Sequence, residues 1–206
     1  MKALHKYGFL ILLTITLADC ASHKKTMYNI LNDLKQNNNN EKFDIDLFNN
    51  NRNDNSYIYT SENGSVIEIV GDKNIGVNEL QYPVNKLYTI QKIFYPNLNI
   101  KYKGFNLKGV KIGKGDYYDE YGNITVKNED EKFGKFDYNQ LILFLDKKGY
   151  VDIQKGNWKN VVDIEFDNDN DKKLWKVYIN DGIPRQLVID GNSGKIIRTN
   201  RIYVYE

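Results

Sequence analysis

The sequence predicts an α+β fold made mostly of antiparallel β-hairpins, with one helix near residues 137–148 packed on a C-terminal antiparallel sheet. The chain has 16 Tyr and 9 Phe, and aromatic side chains favour strands, where they pack on a pleated surface. From residue 56 onward, short alternating stretches are separated by Gly, Asn and Pro turn signals. One well-capped helical stretch then precedes four strand candidates, which is the order of an α+β unit.

Length and charge limit the organisation and the partners of the protein. The 206 residues include 29 basic and 27 acidic side chains, for a net charge of +2. Proteins that bind nucleic acid carry a strongly basic surface, so we expect no nucleic-acid partner. The chain is divided into four parts, which are residues 1–20, 21–55, 56–134 and 135–206.

The first part has the layout of a secretory signal peptide. Lys2, His5 and Lys6 make a basic start, and the uncharged run FLILLTITLA follows at 9–18. A transmembrane helix needs ~20 apolar residues, whereas a basic start followed by a short apolar run is typical of an export signal. We therefore expect the protein to be exported.

The apolar run ends in Leu17-Ala18-Asp19-Cys20, which resembles the lipobox of bacterial lipoproteins. In that family the Cys is acylated and becomes the first residue of the mature chain, so the resemblance implies lipidation of Cys20 and attachment to the membrane. The chain has no second Cys, so an intramolecular disulfide cannot explain this one. Asp19 departs from the Gly, Ala or Ser that the family prefers. Cleavage after Ala18, which leaves a soluble secreted protein, is the alternative.

Residues 21–55 are predicted to be an Asn-rich tether. The runs NNNN at 37–40 and NNNRNDN at 49–55 are polar and cannot bury enough apolar surface to offset the entropy of ordering. Within the tether, TMYNILNDLK at 26–35 has apolar residues at helical spacing and predicts a short helix. The alternating stretch FDIDLF at 43–48 favours a short strand.

The third part reads as a series of hairpins. YIYTSENGSVIEIV at 57–70 alternates on both arms around Asn63-Gly64, which predicts a type I′ turn because both residues tolerate a positive φ. Related aromatic-turn-strand stretches begin at Tyr95 and Tyr118, so the region contains a degenerate repeat. Residues 118–126 are accordingly predicted to be a hairpin turn, with the positive φ at Gly122 or at the Asn that follows it.

The stretch KGVKIGKGDYYDEYGNI at 108–124 resembles the MORN-type repeat of bacterial envelope proteins and of related antitoxin-repeat proteins. The matching positions are Gly109, Gly113, Tyr117, Tyr118, Asp119, Glu120, Gly122 and Asn123. Asp116 stands where that repeat usually has an aromatic residue or Lys. The resemblance implies an antiparallel β region over residues 56–134.

The fourth part begins with the helix. Asp137 is a good N-cap, the apolar residues Leu141, Phe144 and Leu145 have helical spacing, and Gly149 is placed to end the helix at C′. The stretches VVDIEF, LWKVYI, RQLVID and KIIRTNRIYVY follow at 161–166, 174–179, 185–190 and 195–205. They predict four antiparallel strands.

This fourth part is similar to the PepSY domain, in which a helix is followed by a W-x-V strand and a VVDxxTGKII-like hairpin. The first element is matched by Trp175 and Val177, and the second by Val188, Ile189, Asp190, Gly194, Lys195, Ile196 and Ile197. The resemblance implies a link to envelope proteins and to the inhibition or regulation of secreted peptidases.

The sequence offers little for catalysis. Both histidines, His5 and His23, precede residue 56, so the hairpin and C-terminal parts have neither His nor Cys. This excludes Ser-His-Asp catalysis, Cys-His catalysis and ordinary zinc sites there. We expect no enzymatic activity, no catalytic residue and no cofactor.

One acidic stretch, DNDND at 167–171, could be compared with a calcium loop. Asp167, Asp169 and Asp171 fit positions 1, 3 and 5 of an EF-hand. Lys172 and Tyr178, however, stand where that loop needs Gly and Glu. We expect a solvated hairpin loop and no metal site.

Four tyrosines form the candidate binding face, which comprises Tyr102, Tyr117, Tyr118 and Tyr121. Tyr is enriched in binding patches because it offers a large contact area at a low entropy cost. The alternative is that these rings form cross-strand aromatic pairs that hold the sheet.

These expectations combine into one functional prediction. The protein is expected to be an exported, lipid-anchored and periplasm-facing envelope protein, since the ASHKK stretch after Cys20 is basic. It acts as a non-catalytic binding or scaffold module for a protein partner. The alternatives are an inhibitor or regulator of an envelope peptidase and an immunity-type or antitoxin-like binder.

Overall fold

The computed structural model of this chain describes residues 41–72, 74–169 and 172–202. These ranges fall within one of its two structural units, Asn39–Glu206. The predicted signal peptide, Cys20 and the helix predicted at 26–35 lie outside the described residues. Neither of the α-helices in these ranges is long and apolar enough to cross a bilayer.

Strands dominate the described ranges. The helices are α1 (Ile45–Asn51), a 3-10 helix (Glu129–Lys132) and α2 (Tyr138–Lys147). The first seven strands are β1 (Ser56–Thr60), β2 (Val66–Asp72), β3 (Gly76–Tyr82), β4 (Thr89–Phe94), β5 (Ile100–Leu107), β6 (Val110–Tyr118) and β7 (Ile124–Asn128). The others are β8 (Val151–Asp152), β9 (Asn157–Trp158), β10 (Val161–Asp169), β11 (Lys172–Ile179), β12 (Arg185–Asp190) and β13 (Ile196–Arg201).

Strands β1 to β7 form an open antiparallel sheet in which each strand pairs with its neighbours along the chain. Because side chains alternate along a strand, the cross-strand pairs define two faces. The core face carries buried apolar side chains such as Val77, Phe94 and Ile112. The groove face carries polar side chains such as Gln91 and Lys111, which are half-buried. The prediction of a mostly antiparallel β fold is thus confirmed.

The segment before β1 is folded, so the predicted tether is wrong for residues 41–55. FDIDLF does not form a strand, because Asp44 caps a helix there. Its Oδ1 accepts a hydrogen bond from the N–H of Leu47 at 2.9 Å. Phe43 and Phe48 are buried in the core cluster of the sheet, and burying two phenylalanines stabilises the helix more than alternation favours a strand.

Glu41 attaches this segment to the core face through two lysines. Its carboxylate lies 2.5 Å from Nζ of Lys92 and 3.5 Å from Nζ of Lys103. Burial by itself raises the pKa of Glu41, but the hydrogen bonds and charges of the two lysines together outweigh it. The pKa of this carboxyl group is therefore lowered from its ordinary value.

We expect Glu41→Gln to destabilise the protein at neutral pH by about 1 kcal/mol. A carboxyl group with a lowered pKa contributes stability above its unfolded-state pKa and loses it as the pH falls through the folded-state pKa. The advantage of the wild type should therefore shrink below pH 4.5, the ordinary value for this group. Thermal melting from neutral pH to about pH 3 measures it. Glu120→Gln, at an exposed loop tip, is the control, and a pH-independent difference would contradict the ion-pair explanation.

Three hairpin loops share one conformation. They occur at residues 61–65, 95–99 and 119–123. In each, the first residue donates its N–H to the carbonyl of the fifth, at 2.9 to 3.0 Å. Only the fourth residue has a positive φ: +81° at Gly64, +68° at Leu98 and +87° at Gly122. This is a type I turn followed by a left-handed residue. The hairpin turn predicted at 118–126 is confirmed.

The type I′ turn predicted at Asn63-Gly64 is wrong, because Asn63 does not have a positive φ. A turn of that type occurs instead between β5 and β6. There Lys108 and Gly109 are the two loop residues, with φ of +48° and +101°. Two successive positive φ values match the right-handed twist of the flanking strands.

The helix predicted near 137–148 is confirmed as α2. Oδ1 of Asp137 accepts hydrogen bonds from the N–H groups of Asn139 and Gln140, at 2.9 and 3.0 Å. Oε1 of Gln140 in turn accepts one from the N–H of Asp137 at 2.8 Å, which completes a capping box. Gly149, with φ of +78°, follows the helix as expected at C′.

The four strands predicted after α2 are also confirmed. Strands β10 to β13 form an antiparallel sheet in chain order. Asp167, the first residue of the DNDND stretch, lies on β10, and its Oδ2 is 2.7 Å from Nζ of Lys176. Strands β8 and β9 make a separate short pair that brings Trp158 opposite Val151.

Candidate functional site

The four tyrosines predicted to form one exposed face do not share a surface. Tyr102 and Tyr117 are cross-strand partners on the groove face. Tyr118 points to the core face, where it joins the buried core cluster, because adjacent strand residues face opposite sides. Tyr121 lies at a loop tip and is 92% exposed. The alternative prediction, cross-strand aromatic pairing, fits Tyr102 and Tyr117.

Tyr102 lies flat on two glycines of the groove face and is 2% exposed. A Cβ added to Gly104 would lie 2.8 Å from Cζ of this ring, and one added to Gly115 would lie 2.9 Å from its Cε2. Any larger residue at either position would displace the ring. Gly104 and Gly115 thus make room for an aromatic side chain.

Lys111 packs against the rings of both Tyr102 and Tyr117. Its Nζ lies 3.8 Å from the ring centroid of Tyr102 and 3.1 Å from the hydroxyl oxygen of Tyr117. The Tyr117 hydroxyl donates a hydrogen bond to the Glu129 carboxylate. Burial lowers the pKa of Lys111, and the nearby charges of Lys132 and other lysines add to this against the opposing effect of Glu129. The ammonium group is therefore a partly desolvated cation held against two rings.

Beside this cluster the groove face carries a cavity of about 590 Å³, which we call the groove. Its floor is formed by side chains of β3, β4, β5 and β6. They are Leu80, Tyr82, Gln91, Ile93, Asn106 and Lys111. Its wall comes from the β3–β4 and β5–β6 loops and from β9, which contribute Lys86, Leu87, Tyr88, Lys108 and Trp158.

The wall is held in place by contacts far apart in the sequence. Nε1–H of Trp158 donates a hydrogen bond to the carbonyl of Leu87 at 3.0 Å. Nζ of Lys108 lies 5.8 Å from the centroid of the Trp158 ring. Gly156, with φ of +61°, lets the chain pass against the backbone of Asn85. The indole ring of Trp158 is thus fixed in the wall of the groove.

The charged side chains that line the groove are all positive. Lys86, Lys108 and Lys111 line it, and none of the described residues that line it is Asp or Glu. The nearby carboxylate of Glu68 accepts a hydrogen bond from the Tyr82 hydroxyl at 2.8 Å. Burial, followed by this bond and the Glu68 charge, raises the pKa of Tyr82 to about 12. Three ammonium groups in a half-enclosed site favour an anionic ligand.

A row of amides crosses the groove face beside these lysines. Nε2 of Gln91 donates a hydrogen bond to Oδ1 of Asn78 at 2.9 Å. Nδ2 of Asn106 lies 3.4 Å from Oε1 of Gln91. Since each amide carries two donors and an acceptor with two lone pairs, the row retains donors and acceptors for a ligand.

A second cavity, of about 520 Å³, lies between the β5–β6 turn and β10. Its charges are mixed, because Lys111 and Lys132 line it together with three acidic residues of β10. Two of these, Glu165 and Asp167, already lie 3.6 and 2.7 Å from Nζ of Lys176. Charges that are paired within the protein offer less to a ligand, so the groove is the candidate site.

Sequence analysis did not identify the groove. Trp158 could have been noticed, since it is one of only two Trp in the chain and lies between Gly156-Asn157 and Lys159. Comparison of the chain with protein-family models, with curated proteins and with solved structures gives no match, so geometry and chemistry alone define the candidate site.

Proposed function

We propose that the protein is a non-catalytic binding module of the cell envelope, anchored by a lipid on Cys20, which holds its ligand in the groove. One observation carries this proposal: three lysines, the aromatic side chains of Tyr82 and Trp158, and two amides converge on one cavity without a lining carboxylate. Binding sites typically combine such apolar and aromatic walls with a few placed polar groups. The groove is a better candidate than the four tyrosines, two of which are buried.

The resemblances seen in the sequence fit into this proposal. In this proposal the seven-stranded sheet is the part that resembles MORN repeats in sequence, and α2 with the C-terminal strands is the part that resembles a PepSY domain. The sheet supplies the floor of the groove. The segment that follows α2 supplies Trp158 to its wall. Both parts therefore contribute to one site, and neither needs a catalytic task.

Sedimentation with isolated envelopes tests the proposal. The chain from residue 20 onward, with Cys20→Ser so that no lipid contributes, is mixed with envelopes from cells that lack the protein. We expect it to sediment with the envelopes. Replacing Lys86 and Lys108 by Gln together with Trp158→Ala should reduce binding at least tenfold, about 1.4 kcal/mol, because the variant loses two cations and the main aromatic wall.

A charge-matched variant is the control. Lys147→Gln with Lys148→Gln removes two exposed lysines at the end of α2, away from the groove, and should leave binding unchanged. Equal binding by the groove variant and the wild type would refute the proposed site. Loss of binding in the control would show that net charge, and not the groove, attracts the protein.

A protein-binding role is the second candidate, as an inhibitor of an envelope peptidase or an immunity-type binder. The observation in its favour is β7, an edge strand of the large sheet. All five of its residues are exposed, including Ile124 and Val126 at 42% and 56%. An extended peptide can add to such an edge through backbone hydrogen bonds. If Val126→Lys abolished binding to envelopes and the groove variant did not, this candidate would replace the first.

A further inference from the structure

We propose that the groove binds an anionic saccharide, that is, a sugar chain bearing carboxylate or phosphate groups. This inference rests on the proposed binding function and names the chemical class of its ligand. The ligand must satisfy three features of the groove at once, which are its positive charge, its position on a sheet face and its mixture of rings with amides.

The positive charge of the groove favours an anionic ligand. Lys86 is exposed and Lys108 is half-buried at the rim, while Lys111 lies deeper, against the ring of Tyr102. The deepest cation has lost part of its hydration, and Glu129 is the acidic group that faces it. An anionic group that reached Lys111 would restore the interaction lost with water, at a place where the local dielectric is low.

Position on the sheet argues against a peptide as the anion. The floor of the groove is formed by β3, β4, β5 and β6, and each of these strands is paired on both sides. Their backbone N–H and C=O groups are already used within the sheet. An acidic peptide therefore could not be bound by strand addition, the mode that gives extended peptides most of their affinity. Recognition must come from side chains.

The side chains suit a sugar. Tyr82 and Trp158 line the groove and offer ring faces, against which the C–H faces of a pyranose can pack. Gln91 and Asn106 lie beside these rings and keep amide groups for hydroxyls. A cavity of about 590 Å³ is within the ~300–1,000 Å³ range of small-ligand sites. It therefore accommodates a short saccharide segment and not a folded partner.

Fluorescence titration of the same Cys20→Ser chain tests the proposal. Trp158 is half-buried at the groove, whereas Trp175 is fully buried, so ligand binding should change the emission of Trp158. The probes are trigalacturonate, which carries carboxylates, phosphorylated mannopentaose, neutral maltotriose, hexaglutamate and inorganic phosphate. We expect at least one anionic saccharide to bind at least tenfold more tightly than the other three probes, with affinity falling as salt increases.

Two double variants locate the binding. Lys86→Gln with Lys108→Gln leaves the contacts of Lys111 with Tyr102 and Tyr117 intact. This double variant should weaken saccharide binding at least tenfold. The control, Lys147→Gln with Lys148→Gln, should bind like the wild type. Circular dichroism and thermal melting show whether each variant is folded. If the variant with both Lys86→Gln and Lys108→Gln melts early, Lys108→Gln alone replaces it.

Each other outcome would overturn the inference in a recognisable way. Tighter binding of hexaglutamate would assign the groove to acidic peptides. Equal binding of phosphate would show a simple anion site, and equal binding of maltotriose would show that charge is irrelevant. If no probe binds although envelopes still retain the protein, the saccharide class is wrong and the proposed function stands. If envelopes do not retain it either, the proposed function fails as well.

Discussion

Trp175→Ala is expected to destabilise the protein by about 3–5 kcal/mol, a large part of the ~5–15 kcal/mol available to a domain. The side chain is fully buried. Its ring is stacked on Phe133 at 4.9 Å and meets Phe166 edge-on at 4.6 Å. Its Nε1–H donates a hydrogen bond to the carbonyl of Phe136 at 2.9 Å. The substitution therefore opens a cavity and also leaves a buried carbonyl without its donor.

Urea unfolding followed by far-UV circular dichroism measures this loss. Trp175→Phe should cost less than the Ala variant, because a smaller ring still fills most of the site although the hydrogen bond is lost. Trp158→Ala is the second comparison, since that indole is half-buried and also donates to a backbone carbonyl. We expect about 1–2 kcal/mol there. A cost at position 175 no larger than at position 158 would contradict the central role of the buried ring.

The sequence was most informative for α2 and the C-terminal strands, where structure depends on neighbours along the chain. The cap of α2 needs only Asp137 and Gln140, three positions apart, and its end needs Gly149. The four C-terminal strands pair in chain order, each with its neighbour along the chain. Such signals lie within a few residues of the structure they determine, and they can be read without knowing what packs against it.

Long-range packing explains why the tether predicted for residues 41–55 was wrong. Phe43 and Phe48 belong to a core made mostly of strand residues beyond position 66, and nothing within residues 41–55 reveals that core. The local polar composition favoured a tether. Burial of the two rings decided the outcome, because tertiary contacts routinely outweigh local preference.

Strand register limited the prediction of the site. Tyr102 pairs with Tyr117 because of a register shift between Lys103 and Phe105, and such a bulge cannot be read from alternation alone. The groove is still less local. Its wall depends on a hydrogen bond between Trp158 and Leu87, which are 71 positions apart. Charge composition was no guide either, since a net charge of +2 hides three lysines gathered in one cavity.

Cys20→Ala is expected to convert the protein from membrane-bound to soluble. Acylation supplies ~0.8 kcal/mol for each buried CH₂ group, and stable anchoring requires more than one acyl chain or a second membrane signal. None of the described helices has the length and apolarity to span a bilayer. We expect wild-type protein in the membrane fraction and the Ala variant in the soluble fraction.

Mass spectrometry of the N-terminal peptide distinguishes a lipid-anchored protein from a soluble secreted one. An acylated peptide beginning at Cys20 confirms the anchor, and Asp19→Gly, which restores a residue of the lipobox pattern, should increase the processed fraction. A free peptide beginning at Asp19 would contradict the anchor and identify a soluble secreted protein. The distinction matters for the groove, because a tethered protein meets its ligand at a high effective concentration. Weak saccharide binding would suffice for a lipid-anchored protein, whereas a soluble one would need higher affinity to remain at the envelope.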